Sequence, residues 1–475
     1  MGAKLFGTDG VRGKANIYPM TAEFALRLAT AAGQLVCNKE RRVAIGRDTR
    51  LSGEMLEAAM IAGFTSAGID VIRLGVLPTP AVTTLTPDLK VDMSVMITAS
   101  HNPWHDNGIK LIASDGSKFS DKVTSELEAL IANGEFALSP EKIGRVSSEE
   151  TLVNKYIVQA MSAVPDGKPL KGLRVVLDCA NGVFSEIMPK VFMELGAGVI
   201  AIGNKPDGWN INRDCGSQHV EKMVEAVCGA HAQLGIAVDG DGDRIIVCDE
   251  KGVRLDGDQV IAFLGQYLKG KSRLKGNAVV ATIVSNPALD RFLKSQGVDC
   301  VRSGVGERYV IEEMKRHGAN VGGEESGHMV LSDYARTGDA MIAALVVSQG
   351  LLESGKKMSE IFPLFVPMYK NGSIPVLPAG RKCWPLSSCR RLRRQLPKAK
   401  EKLKARARFW SGLPEPSRRF RFGSGETTQR WLTRSTAKYP QCWRRLPGTN
   451  LLRLCRKVEA GLNICLLYLP KVNII

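Results

Sequence analysis

The 475-residue sequence lacks several features that would place it in a specialised class. No apolar run reaches the roughly 18 residues of a membrane-spanning helix, so no transmembrane segment is predicted. The eleven cysteines have neither CxxC nor paired spacing, which argues against a zinc module or a disulfide framework. The opening residues, MGAKLFGTDGVRG, lack the charged-then-apolar pattern of a secretory leader. We therefore expect a cytoplasmic protein with reduced thiols.

Acidic residues are scarce at one end of the chain only. Residues 381–475 hold 24 of the 65 basic residues but 4 of the 48 acidic ones, and no aspartate. The remaining residues hold 41 basic and 44 acidic groups, so they are nearly neutral and the net charge of +17 comes from the tail. A basic arm can bind nucleic acid. The neutral remainder gives no support to that function, and we predict no nucleic-acid partner.

Short apolar segments alternate with helical segments along the rest of the chain. Strand character is found in RRVAIGRD, IDVIRLGVLP and DMSVMITAS, and a helix closed by Gly68 is predicted for EMLEAAMIAGFTSAG. The alternation predicts an α/β fold of mixed or parallel sheets covered by helices. Ligands of such folds bind at the loops that follow the strands. Linkers are predicted near Ser147–Lys155 and Gly252–Asp258.

Three aspartates follow the apolar strand LGIAV within five residues, at Asp239, Asp241 and Asp243. Carboxylates this close repel one another unless a cation neutralises them. Hard oxygen ligands suit Mg²⁺ or Ca²⁺. An EF-hand is excluded because its sixth position, where glycine is required, is Arg244. The pattern therefore favours a metal site over a plain polar turn.

The segment TASHNPWHDNGIKL places Ser100 and His101 in an Asn-Pro loop and Lys110 shortly after it. A serine hydrolase is disfavoured because G-x-S-x-G is absent and His101 is the serine's own neighbour. A capping or turn serine remains the simpler interpretation of Ser100 alone. A serine that faces the aspartate triad, however, is a natural phosphate acceptor. Lys110, His101 and Arg244 would then add positive charge around it.

A third polar motif, GGEESGH, contains Glu324, Ser326 and His328. Glu324 and Ser326 alternate, so on an extended loop both could face one ligand. A carboxylate beside a hydroxyl suits the hydroxyl groups of a sugar. His328 could act as a general acid or base, or only as a hydrogen-bonding neighbour.

The motifs TASHNP, DGDGDR and GGEESGH, in this order and spacing, resemble those of the α-D-phosphohexomutases. FGTDGVRG, HDNGIK and DCANG are similar to the bacterial phosphoglucosamine mutase branch. The resemblance covers roughly the first 370 residues. It implies four domains around a central cleft, of which the first three are related α/β units. We expect these units at residues 1–150, 151–254 and 255–370, with an aberrant basic tail at 371–475 in place of the fourth.

The resemblance also implies roles for individual residues. Ser100 would be a phosphoserine, and one Mg²⁺ would be held by its phosphate together with Asp239, Asp241 and Asp243. Sugar hydroxyls would be bound by Glu324 and Ser326, with His328 nearby. The phosphoryl-transfer end would be lined by the four basic residues Arg12, His101, Lys110 and Arg244.

The implied reaction interconverts glucosamine 6-phosphate and glucosamine 1-phosphate, which feeds amino-sugar nucleotide and cell-wall synthesis. Phospho-Ser100 would phosphorylate the 1-hydroxyl, and the resulting bisphosphate would turn over and return its other phosphate to Ser100. The expected partners are thus a sugar phosphate and a sugar bisphosphate, with no membrane. Phosphomannomutase/phosphoglucomutase activity, or a non-catalytic protein that binds anions through its tail, are the alternatives.

The tail departs from the family in a specific way. The fourth motif, R-x-S-G-T-E-P, which cradles the distal phosphate, is absent, and WSGLPEPSR stands at its place. The codons of Ser411–Arg418, read in a shifted frame, permit R-A-S-G-T-E-P. A frameshift would also account for the sudden basicity and the missing aspartate. We therefore predict a frameshifted tail rather than a divergent one, and impaired activity because the distal-phosphate loop is lost.

Overall fold

The computed structural model describes residues 5–7, 10–149 and 151–368. These residues form three mixed α/β units, as the sequence predicted, with one sheet in each. The predicted tail at 371–475, including the stretch in place of the fourth motif, lies outside the described residues.

The first unit contains a six-stranded sheet in the order β1-β5-β4-β2-β3-β6. Strands β2, β3, β4 and β6 are parallel, while β5 is antiparallel to β4 and β1 is antiparallel to β5. Its strands are β1 (Val11–Lys14), β2 (Arg42–Arg47), β3 (Asp70–Val76), β4 (Met93–Ile97), β5 (Asp106–Ala113) and β6 (Val146–Ser148). Its helices are α1 (Ala22–Leu35), α2 (Leu51–Ser66), α3 (Thr79–Leu85) and α4 (Asp121–Asn133).

The second unit contains a five-stranded sheet in the order β11-β10-β9-β7-β8, with β7, β8 and β9 parallel and the other two antiparallel. Its strands are β7 (Arg174–Asp178), β8 (Gly198–Ile202), β9 (Leu234–Val238), β10 (Ile245–Asp249) and β11 (Arg254–Leu255). Its helices are α5 (Leu152–Met161), α6 (Ile187–Glu194) and α7 (Glu221–Ala230).

The third unit contains a four-stranded sheet in the order β13-β12-β14-β15, with only β15 antiparallel. Its strands are β12 (Ala278–Thr282), β13 (Asp299–Ser303), β14 (Val321–Gly323) and β15 (Met329–Leu331). Its helices are α8 (Gly257–Gly270), α9 (Pro287–Ser295), α10 (Glu307–His317), α11 (Ala340–Ser354) and α12 (Met358–Ile361).

All three sheets share one four-stranded arrangement. In each, three parallel strands are followed along the chain by a strand that returns antiparallel beside the third: β2-β3-β4-β5, β7-β8-β9-β10 and β12-β13-β14-β15. The first strand always lies between the second and the third. The units are therefore repeats of one topology, and equivalent loops occupy equivalent places in each.

The predicted linkers are instead regular structure. Near Ser147–Lys155 the chain adds β6 to the first sheet and then starts α5, which buries Leu152 and Tyr156. Near Gly252–Asp258 it adds β11 to the second sheet and enters α8, which Asp256 caps by accepting a hydrogen bond from the Gln259 amide. The polar residues that suggested linkers serve here as turns and caps.

Helix α11 joins the second and third units. Its sequence, AMIAALVVSQGLLES, is apolar on nearly every face, and its first twelve residues are buried, as expected of a helix surrounded by protein. It packs against α5, α8, β9, β10 and β15. Its N-cap residue, Asp339, accepts a hydrogen bond from the Tyr156 hydroxyl at 3.0 Å and so ties α11 to α5.

Candidate active site

The three polar motifs occupy the same place in their three sheets. The Ser100 loop joins β4 to β5, the aspartate loop joins β9 to β10, and residues 324–328 join β14 to β15. Each is thus the turn between the third parallel strand and the returning strand. The isolated bridge between Arg244 and His328 brings the second and third loops into contact.

Ser100 is buried and its backbone lies in the left-handed region, at φ = 53°. Its Oγ donates a hydrogen bond of 2.7 Å to Asp239 Oδ2, across the boundary between the first and second units. Its amide donates to Thr98 Oγ1 at 3.0 Å. The serine and the aspartate triad, which lie 139 residues apart in the sequence, are therefore in direct contact, as the sequence predicted.

The aspartate triad is compact and buried. One carboxylate oxygen from each of Asp239, Asp241 and Asp243 lies within 4.8 Å of the others. Asp239 Oδ1 accepts the backbone amides of Asp243 and Arg244 at 3.2 and 3.1 Å, which fixes the loop around it. Thr79 Oγ1 donates to Asp241 Oδ2 at 2.6 Å and orients that carboxylate from the first unit.

The charges of the triad fit a cation. Burial and the charges of Asp243 and Asp241 raise the pKa of Asp239 well above its usual range. Two buried carboxylate oxygens, Asp241 Oδ1 and Asp243 Oδ1, accept no hydrogen bond from the described residues. Buried carboxylate oxygens normally accept a hydrogen bond, so these atoms fit the role of ligands to a divalent cation that prefers oxygen.

Cationic side chains surround the triad. Lys110 Nζ donates to Asp241 Oδ2 at 2.8 Å and lies 3.5 Å from Asp243 Oδ2. Arg244 Nε lies 3.7 Å from Asp243 Oδ1. Although burial opposes ionisation of Asp243, Lys110, His328 and Arg244 outweigh it and hold the pKa of that carboxyl well below its usual range.

His101 corrects one expectation. Its Nδ1 lies 3.4 Å from Ser100 Oγ, as adjacency in sequence allows. Burial, helped by the positive charges of Arg244 and Arg12, lowers the pKa of His101 to about 4. The prediction that His101 adds positive charge is therefore wrong, because near neutral pH the imidazole is uncharged. Arg12, on β1 opposite Gly108 of β5, supplies charge at this end instead.

The third loop is a tight turn, and not the extended loop on which Glu324 and Ser326 could both face one ligand. The Gly327 amide donates to the Glu324 carbonyl at 3.0 Å, and the Glu324 amide donates to the His328 carbonyl at 2.9 Å. Gly327 makes this possible by adopting φ = 96°. Glu324 Oε1 accepts the Gly306 amide at 3.0 Å, whereas Ser326 is exposed.

His328 lies between two carboxylates. Its Nδ1 is 3.8 Å from Asp243 Oδ1 and its Nε2 is 3.2 Å from Glu307 Oε1. Burial disfavours its charge, but Glu307 and Asp243 raise its pKa to about 10. Burial likewise opposes the ionisation of Glu307, while Lys118 and His328 lower its pKa to about 2. The two carboxylates thus favour the imidazolium form of His328, which links the aspartate loop to Glu307.

Sequence reasoning missed several polar residues around the site. They bind its residues rather than form a motif: Asp48, Arg50, Thr79, Asn212 and Glu307. Asp48 and Arg50 directly follow β2, so the rule that ligand groups cluster at strand ends could have selected them. The sequence contains no comparable signal for Asn212 or Glu307, whose contacts are with distant segments.

Another stretch matches a nucleotide-binding pattern. GQYLKGKS, residues 265–272, fits G-x-x-x-x-G-K-[ST]. A P-loop precedes a helix, because the helix N-terminus faces the phosphates. Here residues 265–270 are the last turns of α8, and Lys271 forms an ion pair with Glu353 at 2.7 Å. The match therefore does not form a P-loop.

Comparison with known proteins identifies the family. The chain matches three domains described as phosphoglucomutase/phosphomannomutase, alpha/beta/alpha domains I, II and III, over residues 3–138, 154–252 and 256–369. It is 50% identical over 368 residues to a phosphoglucosamine mutase of Rhodospirillum rubrum, covering 77% of this chain and 81% of that one. It is 47% identical over 392 residues to the phosphoglucosamine mutase of Maricaulis maris, covering 82% and 87%.

Solved structures support the same fold. A putative phosphomannomutase from Thermus thermophilus matches with a TM-score of 0.67 at 24% identity, over 76% of this chain and 83% of that one. A phosphoglucomutase/phosphomannomutase family protein from Burkholderia thailandensis matches with a TM-score of 0.65 at 23% identity, over 74% and 77%. Among the described residues, none of the helices has the length and apolar character needed to cross a membrane.

The three matching domains and the relatives that are about 50% identical show that the chain belongs to the phosphoglucosamine mutases of the α-D-phosphohexomutase family.

Proposed function

We propose that the chain isomerises glucosamine 6-phosphate and glucosamine 1-phosphate through a phosphoserine at Ser100 and a bound bisphosphate. The observation that carries this mechanism is the 2.7 Å contact between Ser100 Oγ and the buried Asp239 carboxylate. A phosphate on that oxygen would lie directly against the aspartate triad and Lys110.

Mg²⁺ is the cation that we assign to the triad. Asp239, Asp241 and Asp243 would hold it together with an oxygen of the serine phosphate, since two of their buried oxygens accept no hydrogen bond from the described residues. When bound, the ion would neutralise charge on the phosphoryl group as it transfers. Thr79 and Lys110 keep the Asp241 carboxylate oriented for this role.

The remaining residues act on the phosphoryl group, the proton and the sugar. The bond between phosphorus and Ser100 Oγ breaks as the sugar hydroxyl bonds to phosphorus. The hydroxyl loses its proton and the departing Ser100 Oγ gains one, and His101, whose Nδ1 lies 3.4 Å from that oxygen, would relay the proton to it. Arg12, Arg244 and Lys110 stabilise the negative charge. The reverse transfer, from the other end of the bisphosphate, restores phospho-Ser100.

The loop between β14 and β15 is assigned to the sugar. Glu324 and Ser326 would accept and donate hydrogen bonds to its hydroxyl groups. His328, as an imidazolium beside Asp243, links this loop to the metal loop. The boundaries 1–150, 151–254 and 255–370 remain our proposed division of the units that carry the three loops.

The test is an assay of the purified chain with Mg²⁺ and each of glucosamine, mannose and glucose 6-phosphates. We expect the largest kcat/KM for glucosamine 6-phosphate, and intact mass should show one phosphate that is absent from Ser100→Ala. Highest activity on mannose or glucose phosphates would instead support the phosphomannomutase/phosphoglucomutase alternative. Full activity of a chain without phosphate on Ser100 would refute the mechanism.

A second experiment addresses the tail. We propose that the chain is impaired because residues 411–418 do not encode the distal-phosphate loop, and positioning of this kind can contribute roughly 7–11 kcal/mol in favourable cases. Restoring the shifted frame upstream of these codons should raise kcat/KM by about 100-fold or more. Equal activity of the two chains would show that the missing loop is not needed.

A further inference from the structure

We propose that Arg50 and Asn212 are positioning residues that fix Ser100 for phosphoryl transfer by binding the backbone carbonyls of its loop. The proposal rests on the proposed role of Ser100 as the phosphorylated residue. Neither side chain contacts Ser100 Oγ. Each binds the backbone on the far side of the serine loop, Arg50 from the first unit and Asn212 from the second.

Arg50 is fully buried and its guanidinium is directed at the loop. Nη2 donates to the carbonyls of Ser100 and Asn102 at 3.0 and 2.9 Å, and Nη1 donates to the carbonyl of Pro103 at 2.5 Å. Nε donates to Asp48 Oδ2 at 2.9 Å. The rigid planar fork of arginine is thus matched to three carbonyls and one carboxylate.

Asp48 extends the contact to the start of the loop. Its Oδ2 also accepts the Thr98 hydroxyl at 2.7 Å, and Thr98 Oγ1 in turn accepts the Ser100 amide at 3.0 Å. The Ser100 peptide groups are therefore held on both sides by a single chain of hydrogen bonds. A charged group buried as fully as Arg50 is costly unless it is paired in this way.

Asn212 makes the same two contacts from the second unit. Its Nδ2 donates to the carbonyls of Ser100 and Asn102 at 2.8 and 2.9 Å. The residue is buried and has φ = 56°. Its amide donates to the Ala180 carbonyl at 2.8 Å, which anchors it just beyond β7, in the unit that also carries Asp239.

Arg50 and Asn212 together form what we call the clamp, and it holds Ser100 in an unfavourable backbone conformation. Ser100 has φ = 53°, in the left-handed region that residues with side chains rarely adopt. That conformation persists only where the surroundings impose it. The four donated bonds to the Ser100 and Asn102 carbonyls impose it here, and they leave the hydroxyl aimed at Asp239. Because misplacement by about 1 Å can cost on the order of 100-fold in rate, the clamp should affect transfer directly.

The test measures a single phosphoryl transfer, from glucosamine 1,6-bisphosphate to dephosphorylated Ser100, by intact mass in the presence of Mg²⁺. Asn212→Asp keeps the shape of the side chain but places an oxygen against both carbonyls, while Asn212→Gly keeps access to positive φ. Asn210→Asp is the matched control. Asn210 lies in the same segment and its Nδ2 donates to the Lys205 carbonyl instead of the serine loop.

We expect both Asn212 variants to lower the maximal rate of Ser100 phosphorylation at least tenfold, with the half-saturating bisphosphate concentration within twofold of wild type. Asn210→Asp should match wild type in both. A lower maximal rate at an unchanged half-saturating concentration indicates lost positioning, because general destabilisation would also weaken binding of the bisphosphate. Because Arg50→Lys replaces a fully buried charge and can unfold the chain, the Asn212 variants carry the test.

An unchanged maximal rate in Asn212→Asp would overturn the proposal. So would a rate loss accompanied by a matching rise in half-saturating concentration, or an equal loss in Asn210→Asp. If wild-type Ser100 takes up no phosphate from the bisphosphate, the proposed function itself fails, which is a different result from an active wild type with active Asn212 variants.

Discussion

The serine loop and the Glu324–His328 turn occupy equivalent positions in two sheets of the same topology, yet they are held very differently. The serine loop is buried, and side-chain donors bind its carbonyls at Ser100, Asn102 and Pro103. The Glu324–His328 turn is held largely by backbone bonds, both its own and those that its carbonyls accept from the Ile245 and Gly257 amides. Its Glu324 side chain accepts the Gly306 amide, His328 lies between Asp243 and Glu307, and Ser326 is exposed.

The difference corresponds to what each loop is proposed to do. Phosphoryl transfer depends on groups fixed before the reaction, because preorganised charges need not reorient as charge develops. Sugar recognition requires polar groups that are free to exchange water for ligand. On this proposal, one repeated topology would supply a firmly held reaction loop in the first unit and a sugar-binding loop in the third.

The largest expected effect comes from removing the hydroxyl of the reaction loop. Ser100→Ala should lower turnover by about 10⁴-fold or more, on the scale seen when a nucleophile is deleted. Ser326→Ala makes the same change in the equivalent loop and should cost less than about tenfold. Steady-state mutase assays of the two variants test the comparison. Equal losses would break it, because they would give both loops the same part in the reaction.

The next effect should come from the metal loop. Asp241→Asn removes one charge and one oxygen that has no partner among the described residues, and should lower kcat by roughly 10²–10³-fold, as loss of an electrostatic contact to the transition state does. Asp249→Asn, at the opposite end of β10, is the control, since Asp249 Oδ1 binds the amides of Lys251 and Val253. Activity measured as a function of Mg²⁺ concentration should be lowered in Asp241→Asn and unchanged in Asp249→Asn. Wild-type activity of Asp241→Asn in buffer that contains a chelator would contradict the metal assignment.

A smaller effect should follow from the sugar-binding loop. Glu324→Gln keeps an oxygen for the Gly306 amide but removes the negative charge. We expect KM for the sugar phosphate to rise about tenfold, equivalent to about 1.4 kcal/mol of binding, with kcat within threefold. A fall in kcat at constant KM would place Glu324 in the transition state and contradict the division between binding and reaction loops.

The contact between Ser100 and the aspartate triad was implied by the resemblance to the phosphohexomutases. Local patterns in the sequence were enough to predict the α/β units and the triad itself. They could do so because each motif is contiguous and directly follows an apolar strand. The clamp was missed because Asn212 and Ser100 are 112 residues apart and meet only in the folded chain. The charge of His101 was missed because it depends on burial and on Arg12 and Arg244 together.

The same limit applies to Glu324 and Ser326. Their alternation in the sequence would let both side chains face one ligand on an extended loop. A glycine shortly before an antiparallel strand can instead close a tight turn, and Gly327, just before β15, does so with φ = 96°. The pattern of polar residues was informative about which side chains are available. Where those side chains point depends on whether the backbone forms an extended loop or a turn, and the polar residues alone do not determine that.

The last prediction concerns stability rather than rate, and how the third hairpin is supported. Asp339 donates its amide to the Met329 carbonyl of β15 at 3.0 Å and caps α11, and its carboxyl accepts from Tyr156 and the Ile342 amide. Burial raises the pKa of Asp339 to about 7, despite the hydrogen bonds that lower it. Asp339→Asn replaces the acid with a group that stays neutral at every pH.

Because this pKa is higher in the folded chain than the ordinary value of 3.8, the stability that Asp339 contributes is present at low pH and is lost as pH rises towards about 7. The limiting loss for one proton is about 1.4 kcal/mol per pH unit. Melting temperatures measured from pH 5 to 8 should therefore favour Asp339→Asn over wild type increasingly as pH rises, with the difference levelling off above pH 7. A constant difference across this range would mean that Asp339 is ionised throughout. The third hairpin would then rest on a buried carboxylate rather than on a neutral acid.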